Sequence, residues 1–381
     1  MSLNLLTKKE RLVFYNLVKQ PDFNDGEISR LIDVKRSTVT AIRNRLKAQG
    51  FYSKIVIPNL QALGCRLLGI YYGKYNPLTP LEERVKASTT GEDQKHPELV
   101  FARSTDTEFI KIYVAEHLAD IRGVRDKIFI DYESHNFIED MHSIFFPFEL
   151  CNISSLFNYV PLMGKLVGIE PEEADYNNYI FNGMIETGRK TEADIGQMPP
   201  ESQFPPEKTS FHPRKADLTN VEKSTLDALV ANPEASIVEL SKMTKKTRST
   251  VSRVISDLKE RKLIQTICLP TLEKLGCELM VFIHTKFNPK SSMETRKDEM
   301  KTIMKAAGHV FKISGNIESA GILIPRNYTE YVALYNEMIS LYRDKGYISE
   351  NPYALLLPVQ KIKWKKLDFS AITHKMLFER M

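Results

Sequence analysis

"RSTVTAIRNRLK", Arg36 to Lys47, returns 212 residues later as "RSTVSRVISDLK", Arg248 to Lys259. The recurrence spreads outward from this peptide. Leu6–Pro77 aligns without a gap on Leu218–Pro289, with 24 of 72 positions identical. Shared landmarks are Pro21 with Pro233, Glu27 with Glu239, Pro58 with Pro270, and Leu63-Gly64-Cys65 with Leu275-Gly276-Cys277. A weaker match follows: Val100–Val114 against Val310–Ile324, and Ile144–Phe148 against Leu355–Val359. A period near 210 residues is far longer than a solenoid repeat, so it reads as a duplication of whole domains.

Within one copy the local signals are those of three helices and a strand. Thr7 with Glu10 forms a capping box ahead of an apolar face of Leu12, Val13, Leu17 and Val18. A short second helix from about Gly26 to Asp33 turns Ile28, Leu31 and Ile32 inward. After the turn "VKR", Ser37 is the expected N-cap of a third helix, whose Val39, Ile42 and Leu46 make one apolar stripe. Gly50 can supply a left-handed cap, and "FYSKIVIP" reads as a strand. The second copy repeats the stripe with Val251, Val254 and Leu258, with Lys262 where the first has glycine.

Helices with a tight second turn and a following strand make a winged helix-turn-helix. Steps of 100° place Ser37, Thr40, Ala41 and Asn44 opposite the stripe, with Arg45 and Lys47 on its flanks. In the second copy that face carries Ser249, Ser252, Arg253 and Ser256. Hydroxyl, amide and guanidinium groups suit base edges and phosphates. Arg36 and Arg248 stand where a helix N-terminus already attracts a phosphate. A merely solvated helix face is the competing reading. It does not account for Arg36 and Thr38 recurring as Arg248 and Thr250, because core packing explains only the valine.

"STVTAIRNRLKAQGF" followed by "IPNLQALG" resembles the Lrp/AsnC family of transcription regulators, and the recognition-helix wording is also similar to MarR-type winged helices. The resemblance spans about 60 residues in each half. It implies a DNA-reading head followed by a ferredoxin-like domain that pairs through its sheet and holds a small-molecule effector. Beyond the hinge, each half does offer apolar strands at Cys65–Asn76 and Cys277–Asn288, then helical stretches at Leu81–Ser88 and Ser292–Ala307. Two further strands, a helix and a last strand complete a βαββαβ order. The family's Gly before an Asp-bearing turn survives only as Gly315 in "SGNIE", against "STDTE" in the first half. The tails "ISSLFNYVPLMGKLVG" and "KIKWKKLDFSAITHKMLFERM" read as helical. Lys361–Lys366 around Trp364 could touch nucleic acid, or could be an apolar edge with lysines reaching outward.

The bulk numbers fit this plan. The 381 residues are 42% hydrophobic and 27% charged, the mixture of a globular protein, with no apolar run long enough for a bilayer and no signal-peptide pattern. A cytoplasmic place is expected. Net charge is +6 over residues 1–58, +2 over 217–270 and −4 over 170–215. On that count the first head should supply more of the non-specific DNA affinity. Glu170–Lys215 reads as an acidic, proline-rich linker spanning about 35–40 Å if flexible, with Tyr176–Phe181 as a docking segment. Cys65, Cys151, Cys268 and Cys277 show no metal-ligand spacing and read as inert thiols.

No P-loop, GxGxxG, GxSxG or HExxH occurs, so no catalytic residue, cofactor or metal is assigned and the chain is expected not to be an enzyme. His135 and His142 flank Glu139 and Asp140, a cluster whose plainer reading is chance.

The fold expected is therefore α+β, a tandem duplication of a winged helix-turn-helix domain plus a ferredoxin-like βαββαβ domain. Its boundaries are 1–60, 61–169, a linker 170–216, 217–272 and 273–381. The expected partner is double-stranded DNA, met by a covalent pseudo-dimer through two unlike reading heads. Its contact residues are Arg36, Ser37, Thr38, Thr40, Ala41, Asn44, Arg45 and Lys47 in the first head. In the second they are Arg248, Ser249, Thr250, Ser252, Arg253 and Ser256. Resemblance also implies a small-molecule effector at the ferredoxin-like domains. Whether chains dimerise further is open, and no membrane contact is expected. Siroheme decarboxylases, built from two Lrp-like units, give the enzyme alternative, for which His117, His309, Arg103 and Arg122 are candidates by chain position. An architectural DNA binder is a third reading.

Overall fold

The computed structural model describes residues 3–80, 82–83, 96–176, 178–181, 215–292, 295–296 and 309–379. The expected helices at Leu81–Ser88 and Ser292–Ala307, and most of the linker, lie outside them. In chain order the first half contains α1 (Lys8–Lys19), α2 (Asp25–Ile32), α3 (Arg36–Ala48), β1 (Tyr52–Pro58) and α4 (Leu60–Leu63). It continues with β2 (Leu67–Tyr75), β3 (Leu99–Ser104), β4 (Glu108–Ala115), α5 (Leu118–Ser134), β5 (Ile138–Pro147), β6 (Asn152–Leu156) and α6 (Val160–Val167). The second half has α7 (Asn220–Ala231), α8 (Ile237–Thr244), α9 (Arg248–Glu260), β7 (Ile264–Pro270) and α10 (Leu272–Leu275). After these come β8 (Leu279–Lys286), β9 (Phe311–Ser314), β10 (Glu318–Leu323), α11 (Tyr328–Asp344), β11 (Tyr353–Pro358), β12 (Trp364–Leu367) and α12 (Ser370–Phe378).

Helix starts follow their caps. The Thr7 hydroxyl accepts from the Glu10 N–H while the Glu10 carboxylate accepts from the Thr7 N–H, and Thr219 with Glu222 repeats this ahead of α7. Ser37 is not the N-cap that the sequence suggested. Helix α3 begins two residues earlier than that cap implies, at Arg36, with Lys35 in the cap position and no side-chain bond. Its counterpart α9 is capped by Thr247, whose hydroxyl accepts from the Thr250 N–H. Leu31 was expected inward and is 57% exposed. Ile28 holds the core position, and Leu31 lies about 60° round the helix on the solvent side. Gly50 and Lys262 both take the left-handed conformation after their helices (φ 66° and 51°).

All sheets are antiparallel and the architecture is mixed α+β. One five-stranded sheet runs β5-β2-β4-β3-β12, the other β11-β8-β10-β9-β6. Their first four strands share one order. The fifth is exchanged: β6 leaves the first half to pair with β9, and β12 leaves the second to pair with β3. These edge strands were not expected. The first tail was read as helix throughout, whereas Asn152–Leu156 is a strand and only Val160–Val167 is α-helical. In the second tail, Trp364 sits in β12 opposite Ser104, buried to 8% exposure, so the lysine run is a sheet edge.

Between the heads, β1 and β7 form a two-stranded ribbon whose central pair is Ile55 with Ile267. Those residues are themselves 212 apart, so the ribbon is symmetric about the offset seen in the sequence. The inner faces of the two large sheets share one apolar core with the heads, including Leu68, Ile70, Phe282 and Ile322. There the Tyr72 hydroxyl and His284 Nδ1 share a 2.7 Å hydrogen bond, and these positions too are 212 apart. Within Tyr176–Phe181, Tyr179 and Phe181 are buried, and the Asn178 carbonyl accepts from Gln265. All four thiols are pushed up to about 12 by burial, in keeping with inert cysteines. Among the described residues, no helix is long and apolar enough to cross a membrane.

Candidate nucleic-acid interface

Both recognition helices bury the stripe and leave the other face outside. Val39, Leu46, Val251 and Leu258 are fully buried, and Ile42 and Val254 nearly so. Arg36, Ser37, Ala41, Asn44, Arg45 and Lys47 are exposed in α3, with Thr38 and Thr40 half-buried. In α9, Arg248, Ser249, Ser252, Arg253 and Ser256 are exposed and Thr250 is half-buried. None of the residues assigned to DNA is in the core.

Several are nevertheless occupied. The Thr40 hydroxyl donates to Asp25 Oδ2 at 2.6 Å, and Asp25 also holds Arg43. Arg45 pairs with the buried carboxylate of Glu10. Lys47 reaches across to Glu234 in the turn of the other head, and Lys259 reaches back to Asp22 at 2.7 Å. Lysines and acids of the two bridges are related by the same 212-residue offset. This reciprocal pair fixes the C-terminal end of each recognition helix against the opposite head. Exposed ion pairs contribute only about 0–1 kcal/mol each. Their value here is therefore registration of the heads, with the ribbon supplying the cohesion.

Occupied cations change the balance between the heads. In the first, Lys19, Arg43, Arg45 and Lys47 are paired with carboxylates, and the Lys54 ammonium donates to the Pro21 carbonyl, its pKa lowered by burial. Lys35 and Arg36 remain at the helix start. In the second head Lys245, Lys246, Arg248 and Arg253 are all exposed and make no ion pair among the described residues. Asp33 occupies the position of Lys245 in the first head. Four free cations around one helix N-terminus give a denser positive field than two beside an aspartate. The net-charge comparison missed this because it counts paired cations. Lys245 and Lys246 were themselves overlooked, although "TKKTR" in the turn before the helix was a legible signal.

Other chemistry-bearing groups are dispersed. His117 and Arg122 are exposed at the start of α5. Arg103 points its guanidinium at the carbonyls of Ala102 and Lys366 and over the Phe101 ring. His309 is buried over Gly321 beside Lys312. No hydrogen bond or ion pair joins any two of these four candidates. Burial pushes Lys312 down to about 7 and, together with the Lys312 charge, holds His309 well below the usual histidine range. His309 is therefore neutral near pH 7, and the Lys312 amine donates to Ser319. His142 lies 3.6 Å from Asp140 while His135 stacks on Phe137, and no group of three candidate metal ligands occurs among the described residues.

Comparison with known proteins adds three findings. A model of the MarR family matches residues 216–267, the second head and the start of its ribbon strand. No curated protein matches the sequence. Among solved structures the chain is similar to the siroheme decarboxylase NirDL, with TM-score 0.50 and 10% identity over 97% of this chain and 98% of that one. The same enzyme in complex with an iron-uroporphyrin III analogue matches equally, with TM-score 0.50 and 10% identity over 97% and 99%. AsnC of E. coli is similar over 37% of this chain and 92% of its own, with TM-score 0.30 and 15% identity.

The MarR match supports a winged helix-turn-helix of the transcription-regulator type in the second head. Likeness to NirDL at 10% identity shows a shared fold over the whole chain. It also overturns one expectation. The lack of catalytic motifs suggested that the chain is not an enzyme, yet the structures it resembles from end to end are those of an enzyme. Absent local motifs are weak evidence where a site is assembled from side chains of two distant halves.

Proposed function

We propose that the chain is a double-stranded DNA-binding transcription regulator that acts as a covalent pseudo-dimer. The observation that carries this reading is the pair of outward faces, Arg36-Ser37 and Arg248-Ser249, on helices whose opposite stripes are buried. The symmetric ribbon, the exchanged strands and the reciprocal ion pairs support a tandem duplication in which each half completes the other. On this reading the domains are 1–60, 61–169, 217–272 and 273–381 around the linker, and the protein works in the cytoplasm. DNA contact is assigned to Ser37, Thr38, Ala41, Asn44, Ser249, Thr250, Ser252, Arg253 and Ser256 besides the two arginines. Thr40, Arg45 and Lys47 contribute where their present partners release them. Unlike heads imply an asymmetric operator. Binding of a labelled duplex, followed by fluorescence anisotropy at 50 mM salt, tests the faces. Arg36→Ala with Arg248→Ala is expected to weaken binding about tenfold or more and to flatten its salt dependence by about 1.8, from 0.9 per lost phosphate contact. Unchanged affinity in the double variant would remove the assignment.

A second reading, an enzyme acting on a siroheme-like tetrapyrrole, is favoured by the whole-chain likeness to NirDL and by one local feature. Tyr72 bonds His284, whose Nε2 lies 3.6 Å from Glu318 Oε1, with His142 stacked on Tyr72. A Tyr–His–carboxylate chain can move a proton. Anaerobic incubation of the purified protein with siroheme discriminates the readings, since product of lower carboxylate number would establish the enzyme.

A further inference from the structure

A cavity of about 390 Å³ opens between the first tail and the second half's α11. Leu162, Leu166 and Ile169 wall one side, and Ile324 and Leu334 the other. Its charged lining is Lys165, Arg326 and Glu330, with the exposed Glu170 at the rim. Glu330 is half-buried, and its two oxygens are both taken: one by Lys165, the other by the Arg326 backbone N–H at 2.6 Å and Arg326 Nε at 3.4 Å. The lysine and salt bridges hold its carboxyl below the usual range, against the pull of burial. What stays unused is donor capacity. The Arg326 Nη1 and Nη2 groups and the remaining N–H bonds of Lys165 have no partner among the described residues. An apolar chamber ending in spare cationic donors, with its one buried carboxylate saturated, is complementary to an apolar body carrying an anionic acceptor.

We infer that this cavity binds a small apolar carboxylic acid, its carboxylate held by Arg326 and Lys165 and its hydrocarbon or aromatic body between α6 and α11. Among the described residues the equivalent lysine of the second half is not open to a ligand. Lys375, 210 residues after Lys165, is closed onto the buried Glu98 at 2.6 Å. One wall is also tied to the first head. The segment after α6 carries Asp175, which accepts from Lys19 of α1 at 2.9 Å, with Glu172 at 3.4 Å from the same ammonium. A ligand wedged between α6 and α11 therefore presses on the elements that hold α1. Its effect on DNA affinity rests on the function proposed above, whereas binding itself does not.

Calorimetry on the full chain, without DNA, tests the site. Phenylacetate and octanoate are the probes, and phenethyl alcohol and octanol the uncharged controls. At least one acid is expected to bind saturably at one per chain, with its alcohol at least tenfold weaker. Arg326→Gln with Lys165→Met, both at exposed positions, is expected to weaken the acid at least tenfold. Leu162→Trp should abolish binding by filling the chamber. The charge variant keeps the test decisive if the filled one does not fold. Absence of saturable binding by both acids, or equal binding by the double variant, overturns the inference. A loss of DNA binding with acid binding intact would instead bear only on the proposed function.

Discussion

Residues 1–181 and 215–381, produced as two separate polypeptides in one cell, are expected to copurify as a one-to-one complex, and either alone to aggregate. The reason is the exchange of edges. Without β6, strand β9 presents an open row of N–H and C=O groups, and without β12 the same is true of β3. Open edges of this kind pair with whatever strand they meet. Each half would also expose apolar surface that its partner covers. Ile153, Leu156 and Phe157 are buried to 3% exposure or less, as are Tyr72, Phe282 and Ile322 at the sheet-to-sheet contact. Fully burying each such side chain is worth about 1.5–3 kcal/mol. Over these six side chains the sum is about 9–18 kcal/mol, comparable to the roughly 5–15 kcal/mol by which whole domains are stable. Size-exclusion chromatography with light scattering checks the outcome. Two well-behaved monomers would show that the halves fold independently and that the exchanged strands add little.

The second large effect concerns the heads. Replacing Lys245, Lys246 and Arg248 together by alanine is expected to lower affinity for duplex DNA at 50 mM salt about a hundredfold or more, and the salt slope by about 2.7. Replacing Lys35 and Arg36 should cost less, because Asp33 already offsets part of the field there. This order is the reverse of what net charge suggests. Of the cations that give residues 1–58 their +6, four are consumed by Glu10, Asp25, Asp175 and Glu234. Fluorescence anisotropy over a salt series measures both quantities. A steeper loss from the first head would return the lead to net charge.

Local order was legible where one short segment specifies it. The Val39-Ile42-Leu46 stripe defines α3 without help from the rest of the chain, and the Val251-Val254-Leu258 stripe with the Thr247 cap does the same for α9. The offset of 212 announced that whatever the first half does, the second repeats. Which edge β6 or β12 joins was not legible. Strand pairing depends on a partner about 160 residues away for β6 and about 260 for β12. Asn152–Leu156 is also too short to show a clear alternation. The free or paired state of a cation was hidden for a similar reason. Lys47 and Lys246 are alike in sequence, yet only Lys47 has a carboxylate brought to it from the other half. The siroheme decarboxylase alternative was legible from the doubled Lrp-like plan, but the residues named for it by chain position were not those that meet; the Tyr72–His284 pair exists only across the two sheets.

Hydroxyl-radical footprinting on a duplex selected for binding from a random pool is the most direct measurement. Two unlike protected segments on one face of the helix, about 34 Å or one turn apart, are predicted. The one nearer the second head should vanish first when Lys245, Lys246 and Arg248 are replaced. Failure to enrich any duplex, or a single protection indifferent to both sets of recognition-helix variants, would contradict the reading of α3 and α9 as DNA-facing helices.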